Sequence, residues 1–108
     1  MRTASDALVG PVADLTIRSL HFDTLFLGCN GIDPDVGLTT PNLAEAETNR
    51  ALIKVARRVV VLADHTKWGV VSLASFATLD EVDVLVTDSL LPAEAHAALN
   101  ARVGEILV

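Results

Sequence analysis

Apolar residues along this chain fall into short uncharged runs separated by amphipathic stretches, a pattern that alternates strand with helix. Leu25-Phe26-Leu27 is a compact apolar run that stops at Gly28, the profile of a buried strand. Val59-Val60-Val61-Leu62-Ala63 is the clearest strand, β-branched and uncharged, and Asp64 ends it. Residues 70–76 predict a further short strand. Residues 82–87 predict another, closed by Asp88 and Ser89, and residues 105–108 an edge strand. Gly10-Pro11 suits a helix start, because proline at the first helical position gives up no intrahelical bond; Val12, Leu15 and Leu20 supply its buried face. Residues 28–41, rich in Gly, Asp, Pro and Thr, read as a loop. Asn42 then caps a second helix, with Glu45 where a capping-box partner belongs. Leu52, Val55, Ala56 and Val59 continue that helix at its own spacing, and Arg57 and Arg58 complement the dipole at its end. Pro92 opens a last helix with Ala95, Ala98 and Leu99 on one face, and Gly104 closes it.

Strand and helix in alternation predict the α/β class: a mostly parallel Rossmann-like sheet with flanking helices. In such sheets ligands bind beyond the carboxyl ends of the strands, which directs attention to two polar loops, residues 29–41 and 64–69. At 108 residues the chain is one domain or part of one, with no internal repeat, low-complexity tract or linker. Half of its residues are hydrophobic, so it is globular rather than disordered. That apolar content fits either a surface shared with another subunit or a well-filled α/β core.

Charge narrows the function. Eight Lys and Arg against fourteen Asp and Glu leave a formal net charge of −6, which supplies no surface for displacing counterions from DNA. Cys29 is the single cysteine, so no intrachain disulfide or zinc cluster is expected. No segment has the apolar length to span a bilayer and the first ten residues lack a signal-peptide core, which makes the cytoplasm the default location.

The first loop reads Gly28-Cys29-Asn30-Gly31-Ile32-Asp33-Pro34-Asp35. Its glycines permit close backbone approach, and Asn30 and Asp33 can bond hydroxyl groups; the same pattern also suits a tight turn with solvated aspartates. The second loop reads Asp64-His65-Thr66-Lys67-Trp68-Gly69, where Lys67 can meet an anion as a point charge or simply pair with Asp64. His21, His65 and His96 are too far apart for a local metal motif. The pairs Asp33 and Asp35, and Asp80 and Asp83, read as turn formers rather than as an acid and a base. No serine sits in a G-x-S-x-G elbow, and Cys29 beside an apolar run reads as a small core residue. Neither metal nor cofactor is expected.

Taken in series, these segments resemble the C-terminal sensor domain of the DeoR family of transcriptional repressors. The matching stretches are Leu8-Val9-Gly10-Pro11, Phe26-Leu27-Gly28-Cys29-Asn30-Gly31-Ile32-Asp33 and Gly37-Leu38-Thr39-Thr40. They continue with Glu45-Ala46-Glu47-Thr48-Asn49-Arg50-Ala51, Val61-Leu62-Ala63-Asp64-His65-Thr66-Lys67-Trp68-Gly69 and Val84-Leu85-Val86-Thr87-Asp88. The series covers nearly the whole chain. It implies a fold shared with ribose-5-phosphate isomerases, glucosamine-6-phosphate deaminases and CoA transferases, of which this chain would be a partial version. It also implies that residues 1–108 form a sensing domain without the family's N-terminal winged helix-turn-helix or its upstream phosphate-binding segment.

The resemblance further implies that the chain binds a phosphorylated sugar or polyol as effector and so releases a repressor from its operator. The related isomerases carry acidic residues where Asn30 and Gly31 stand here, and their base position falls at Asn49, whose amide cannot remove a proton from carbon. Lys67 matches a lysine that holds substrate in those enzymes. Anion recognition is kept while acid–base chemistry is lost, which favours a sensor over the alternative of a sugar-phosphate isomerase or deaminase. A third reading is a structural fragment whose main activity is self-association. The expected effector contacts are Asn30, Gly31, Asp33, Glu47 and Lys67. Self-association into at least a dimer is expected, with no DNA or membrane contact by this chain itself.

Overall fold

The computed structural model describes residues 22–108, so the helix expected from Gly10-Pro11 lies outside the described residues. Four strands run parallel in one sheet: β1 (Phe22–Gly28), β4 (Ala56–Leu62), β6 (Val84–Val86) and β7 (Glu105–Leu107), adjacent in that order. A smaller antiparallel sheet holds β2 (Gly31–Asp33), β3 (Gly37–Thr40) and β5 (Ala74–Ala77). Helix α1 (Leu43–Val55) leads into β4, and α2 (Ala93–Asn100) connects β6 to β7. The expected mostly parallel Rossmann-like sheet with flanking helices is therefore what the chain forms.

Each parallel strand joins the sheet on the same side as the one before, and right-handed crossovers then carry the connections over one face. The core bears this out. Leu27, Val59, Val61 and Leu85 from the parallel sheet form one cluster with Ala46 and Ile53 of α1 and Leu99 of α2. Ile32, Leu38 and Phe76 of the second sheet join it. Strand side chains alternate, so the opposite face carries Phe26, Val60, Leu62, Val84 and Leu107. Phe26 is 64% exposed, Leu62 48% and Leu107 45%.

Local signals start and stop the elements as expected in several places. The Asn42 side chain accepts from the Glu45 N–H at 3.0 Å and so satisfies one orphan donor at the head of α1. Pro92 stands at the N-cap of α2, and Gly104 precedes β7 with its N–H donating to the Val82 carbonyl at 3.0 Å. Three expectations need correction. The helix does not run on to Val59: α1 ends at Val55, and Ala56, Arg57 and Arg58 already belong to β4. Apolar residues at 52, 55, 56 and 59 satisfy a helical period, but the β-branched run that follows pairs on both sides with β1 and β6. Residues 28–41 are not one loop, because they contain the β2–β3 hairpin. The strand expected over 70–76 is confined to Ala74–Ala77.

Candidate functional site

The carboxyl edge of the parallel sheet gathers the ends of β1, β4 and β6. From β1 the chain passes through Cys29 and Asn30 into β2, and the Asn30 N–H donates to the Thr39 carbonyl at 2.9 Å. From β4 it passes through Ala63 and Asp64 into a single 3-10 turn, His65–Lys67. From β6 it reaches Thr87 and Asp88.

Two carboxylates build the His65–Lys67 turn. Asp64 caps it: its Oδ1 accepts from the Thr66 N–H at 3.0 Å and from the Thr66 hydroxyl. Asp88 reaches across from β6, and its Oδ2 accepts from the His65 N–H at 3.1 Å and pairs with the imidazole Nδ1 at 2.9 Å. Its Oδ1 accepts from the Leu90 N–H at 2.9 Å. The Thr66 hydroxyl holds the Asp64 carboxyl below the usual carboxylate range, and the His65 ring does the same for Asp88. Both groups therefore favour the fold above the ordinary carboxylate pKa. That contribution is lost as pH falls through the lowered values.

The turn is also tied to the first loop. Trp68 bridges to Ile32, and the Gly69 N–H donates to the Ile32 carbonyl at 2.8 Å. Gly31 is buried beneath the Val70 carbonyl. Burial pushes the half-buried Cys29 thiol up to about 11, and the positive charge of Lys67 opposes the shift. Lys67 itself is half-buried and forms no ion pair within 4 Å among the described residues, Asp64 included. A thiol so rarely ionised makes a poor nucleophile. Alkylation of Cys29 at pH 7 is expected to run about 100-fold slower than that of a free cysteine, and reaction at the free rate would contradict the burial.

Of the residues singled out from sequence, Asn30, Gly31 and Lys67 lie together at this edge. Asn30 is exposed. Asp33 sits at the other end of β2, where its Oδ2 accepts from the N–H groups of Asp35 and Val36, both at 2.9 Å, and shapes the hairpin turn. The Arg102 guanidinium donates to the Pro34 carbonyl at 3.1 Å, so that turn faces the end of α2 rather than Lys67. Glu47 is exposed on α1, with no ion pair to Lys67, and Asn49 is half-buried in the middle of the same helix. Sequence reasoning passed over His65 and Asp88 as a pair. Only the local half of the signal was available, since each residue follows an apolar strand; that β4 and β6 are neighbours is a finding of the structure.

Two surface clefts lie elsewhere. One of about 430 Å³ is lined by Arg57, Arg58, Asp83 and Glu105, and one of about 300 Å³ by Arg50, Lys54, Ser75, Thr78 and Glu81. Among the described residues no group of three His, Cys, Asp or Glu is arranged to hold a metal ion. No described helix is long and apolar enough to cross a membrane.

Known proteins resemble this chain along its length. The profile of the family described as the DeoR C terminal sensor domain matches residues 1–89. The HTH-type transcriptional regulator GlpR of Haloferax volcanii is 40% identical over 101 residues, which cover 94% of this chain and 40% of that protein. A putative aga operon transcriptional repressor of Escherichia coli O157:H7 is 32% identical over 108 residues, covering 100% of this chain and 40% of its own length. The HTH-type transcriptional regulator GolR of Listeria innocua is 39% identical over 87 residues, 81% of this chain and 34% of that protein. The chain thus spans about two fifths or less of the length of these curated relatives.

Proposed function

We propose that this chain, which belongs to the DeoR C terminal sensor domain family, binds a phosphorylated sugar or polyol at the carboxyl edge of its parallel sheet and thereby releases a repressor from DNA. A regulatory, effector-sensing role is the family's, and the relatives that resemble the chain are transcriptional regulators. The observation that carries the finer reading is Lys67: a half-buried cation without an ion-pair partner among the described residues, on a short turn whose following residues are tied to Ile32, next to Gly31. A phosphate dianion supplies the missing countercharge.

In this reading Lys67 meets the phosphate and Asn30 a sugar hydroxyl. Gly31 keeps the loop backbone close to the ligand, while Asp33, occupied in the hairpin turn, and Glu47, exposed on α1, are left out of the contact set. The acidic chain leaves DNA to other parts of a longer cytoplasmic protein. The exposed Phe26, Leu62 and Leu107 on the outer sheet face favour self-association, since an apolar patch of this kind gains by being covered.

A thermal-shift screen of the full chain tests the reading, with phosphate monoesters of sugars and polyols run beside the same compounds without phosphate. At 100 times its dissociation constant a true effector stabilises by about 2.7 kcal/mol. Stabilisation by at least one phosphorylated compound, and by none of the unphosphorylated ones, is expected. A screen in which no phosphorylated compound shifts the melt would sink the proposal.

A further inference from the structure

Lys67 rides on a turn of three residues, too short to hold its shape alone. Its backbone is anchored from outside the loop at two places: the Ile32 carbonyl, which accepts from the Gly69 N–H, and the Asp88 carboxylate just past β6, 23 residues along the chain from His65, which alone holds the turn itself through the His65 N–H. The same oxygen that takes the His65 N–H also takes the imidazole Nδ1, and the other oxygen takes the Leu90 N–H. One carboxylate therefore fixes the turn, the ring and the start of its own following loop.

We propose that Asp88 is a positioning residue for the anion contact at Lys67, and that through His65 it couples effector binding to proton uptake. The inference rests on the assignment of Lys67 to the effector phosphate. The neutral ring must carry its proton on Nδ1 to donate to Asp88, and a second proton on Nε2 leaves that bond in place. Protonation therefore adds charge without moving the turn. The charged groups around the ring are Asp88, just past β6, which it bonds, and its chain neighbours Asp64 and Lys67; the un-ionised Cys29 thiol, just past β1, adds no charge. With a neutral imidazole those charges leave the edge net negative, which opposes a dianion. An imidazolium cancels that excess. A unit charge added near a dianion at a partly solvated edge changes affinity roughly 3- to 10-fold.

The experiment measures binding of sulfate and of glycerol 3-phosphate to the full chain from pH 8 to pH 5.5, with His65→Gln and Asp88→Asn alongside. Sulfate stays a dianion throughout, so its curve reads the protein alone. Affinity for sulfate is expected to rise roughly 3- to 10-fold on acidification in the unsubstituted chain and to stay flat in His65→Gln, with values at pH 8 within about twofold. Asp88→Asn is expected to weaken binding several-fold at pH 8, the lost anchor of the His65–Lys67 turn outweighing the removal of one negative charge. A pH dependence that survives His65→Gln, or Asp88→Asn binding as the unsubstituted chain does, would overturn the coupling while leaving Lys67 in the site. No binding of either anion at any pH would overturn both. Should Asp88→Asn fold too poorly to assay, the sulfate profile of His65→Gln decides.

Discussion

Gly31→Ala is expected to cost about 3 kcal/mol or more of folding stability. A methyl carbon at that position would lie 2.0 Å from the Val70 carbonyl oxygen, 2.6 Å from its carbon and 2.8 Å from the Thr39 hydroxyl oxygen. Two of those three obstacles are backbone, and the backbone at Val70 is itself held by its N–H to the Lys67 carbonyl at 3.3 Å. Relief must come from displacing β2 or the Lys67 loop, and either movement spoils the candidate site. For a domain of this size the loss corresponds to roughly 15 °C in Tm. Gly28→Ala is the matched control, because nothing lies within 4 Å of the added carbon, and its effect should stay within about 0.5 kcal/mol. Denaturant melts of the two variants check the contrast. A Gly31→Ala cost below about 1 kcal/mol would mean that the loop backs away from Val70 freely.

Lys67→Ala is expected to weaken effector binding roughly 10- to 150-fold, since a charge-assisted hydrogen bond contributes about 1.5–3 kcal/mol. Folding stability should change by about 0.5 kcal/mol or less, because the lysine is only half-buried and no ion pair is broken. Under the proposed function, a repressor carrying this domain should keep its operator affinity without effector, so release curves against effector concentration shift while the starting point stays. An unshifted curve removes Lys67 from the site. A collapsed melting temperature would instead mark the lysine as structural.

The parallel sheet was legible in the residues because its strands are apolar on both faces: Leu25-Phe26-Leu27 and the run from Val59 need no partner to be recognised. Asn42 was legible as a cap for a similar reason, its bond to the Glu45 N–H being local. The hairpin was hidden. Gly31–Asp33 and Gly37–Thr40 are too short and too rich in Gly, Asp and Thr to read as strands, and they become strands through pairing with each other and with Ala74–Ala77. Much the same limit applied to the site. Lys67 could be found from its place after the strongest strand. The turn that holds it depends on Asp88, whose grip on His65 spans two strands that sequence does not show to be neighbours.

Helix α1 passes into β4 with no residue between them, Val55 closing one and Ala56 opening the other. That seam has no room for evolutionary length change. One residue gained or lost there would invert β4, sending Val59 and Val61 outward and Val60 and Leu62 into the core while both neighbouring strands kept their registers. Insertions and deletions among relatives should therefore accumulate at the exposed tip around Asp35 and Val36 and be purged at the seam. The family can vary in length where its hairpin turns, but its helix and its central strand must be inherited as one piece.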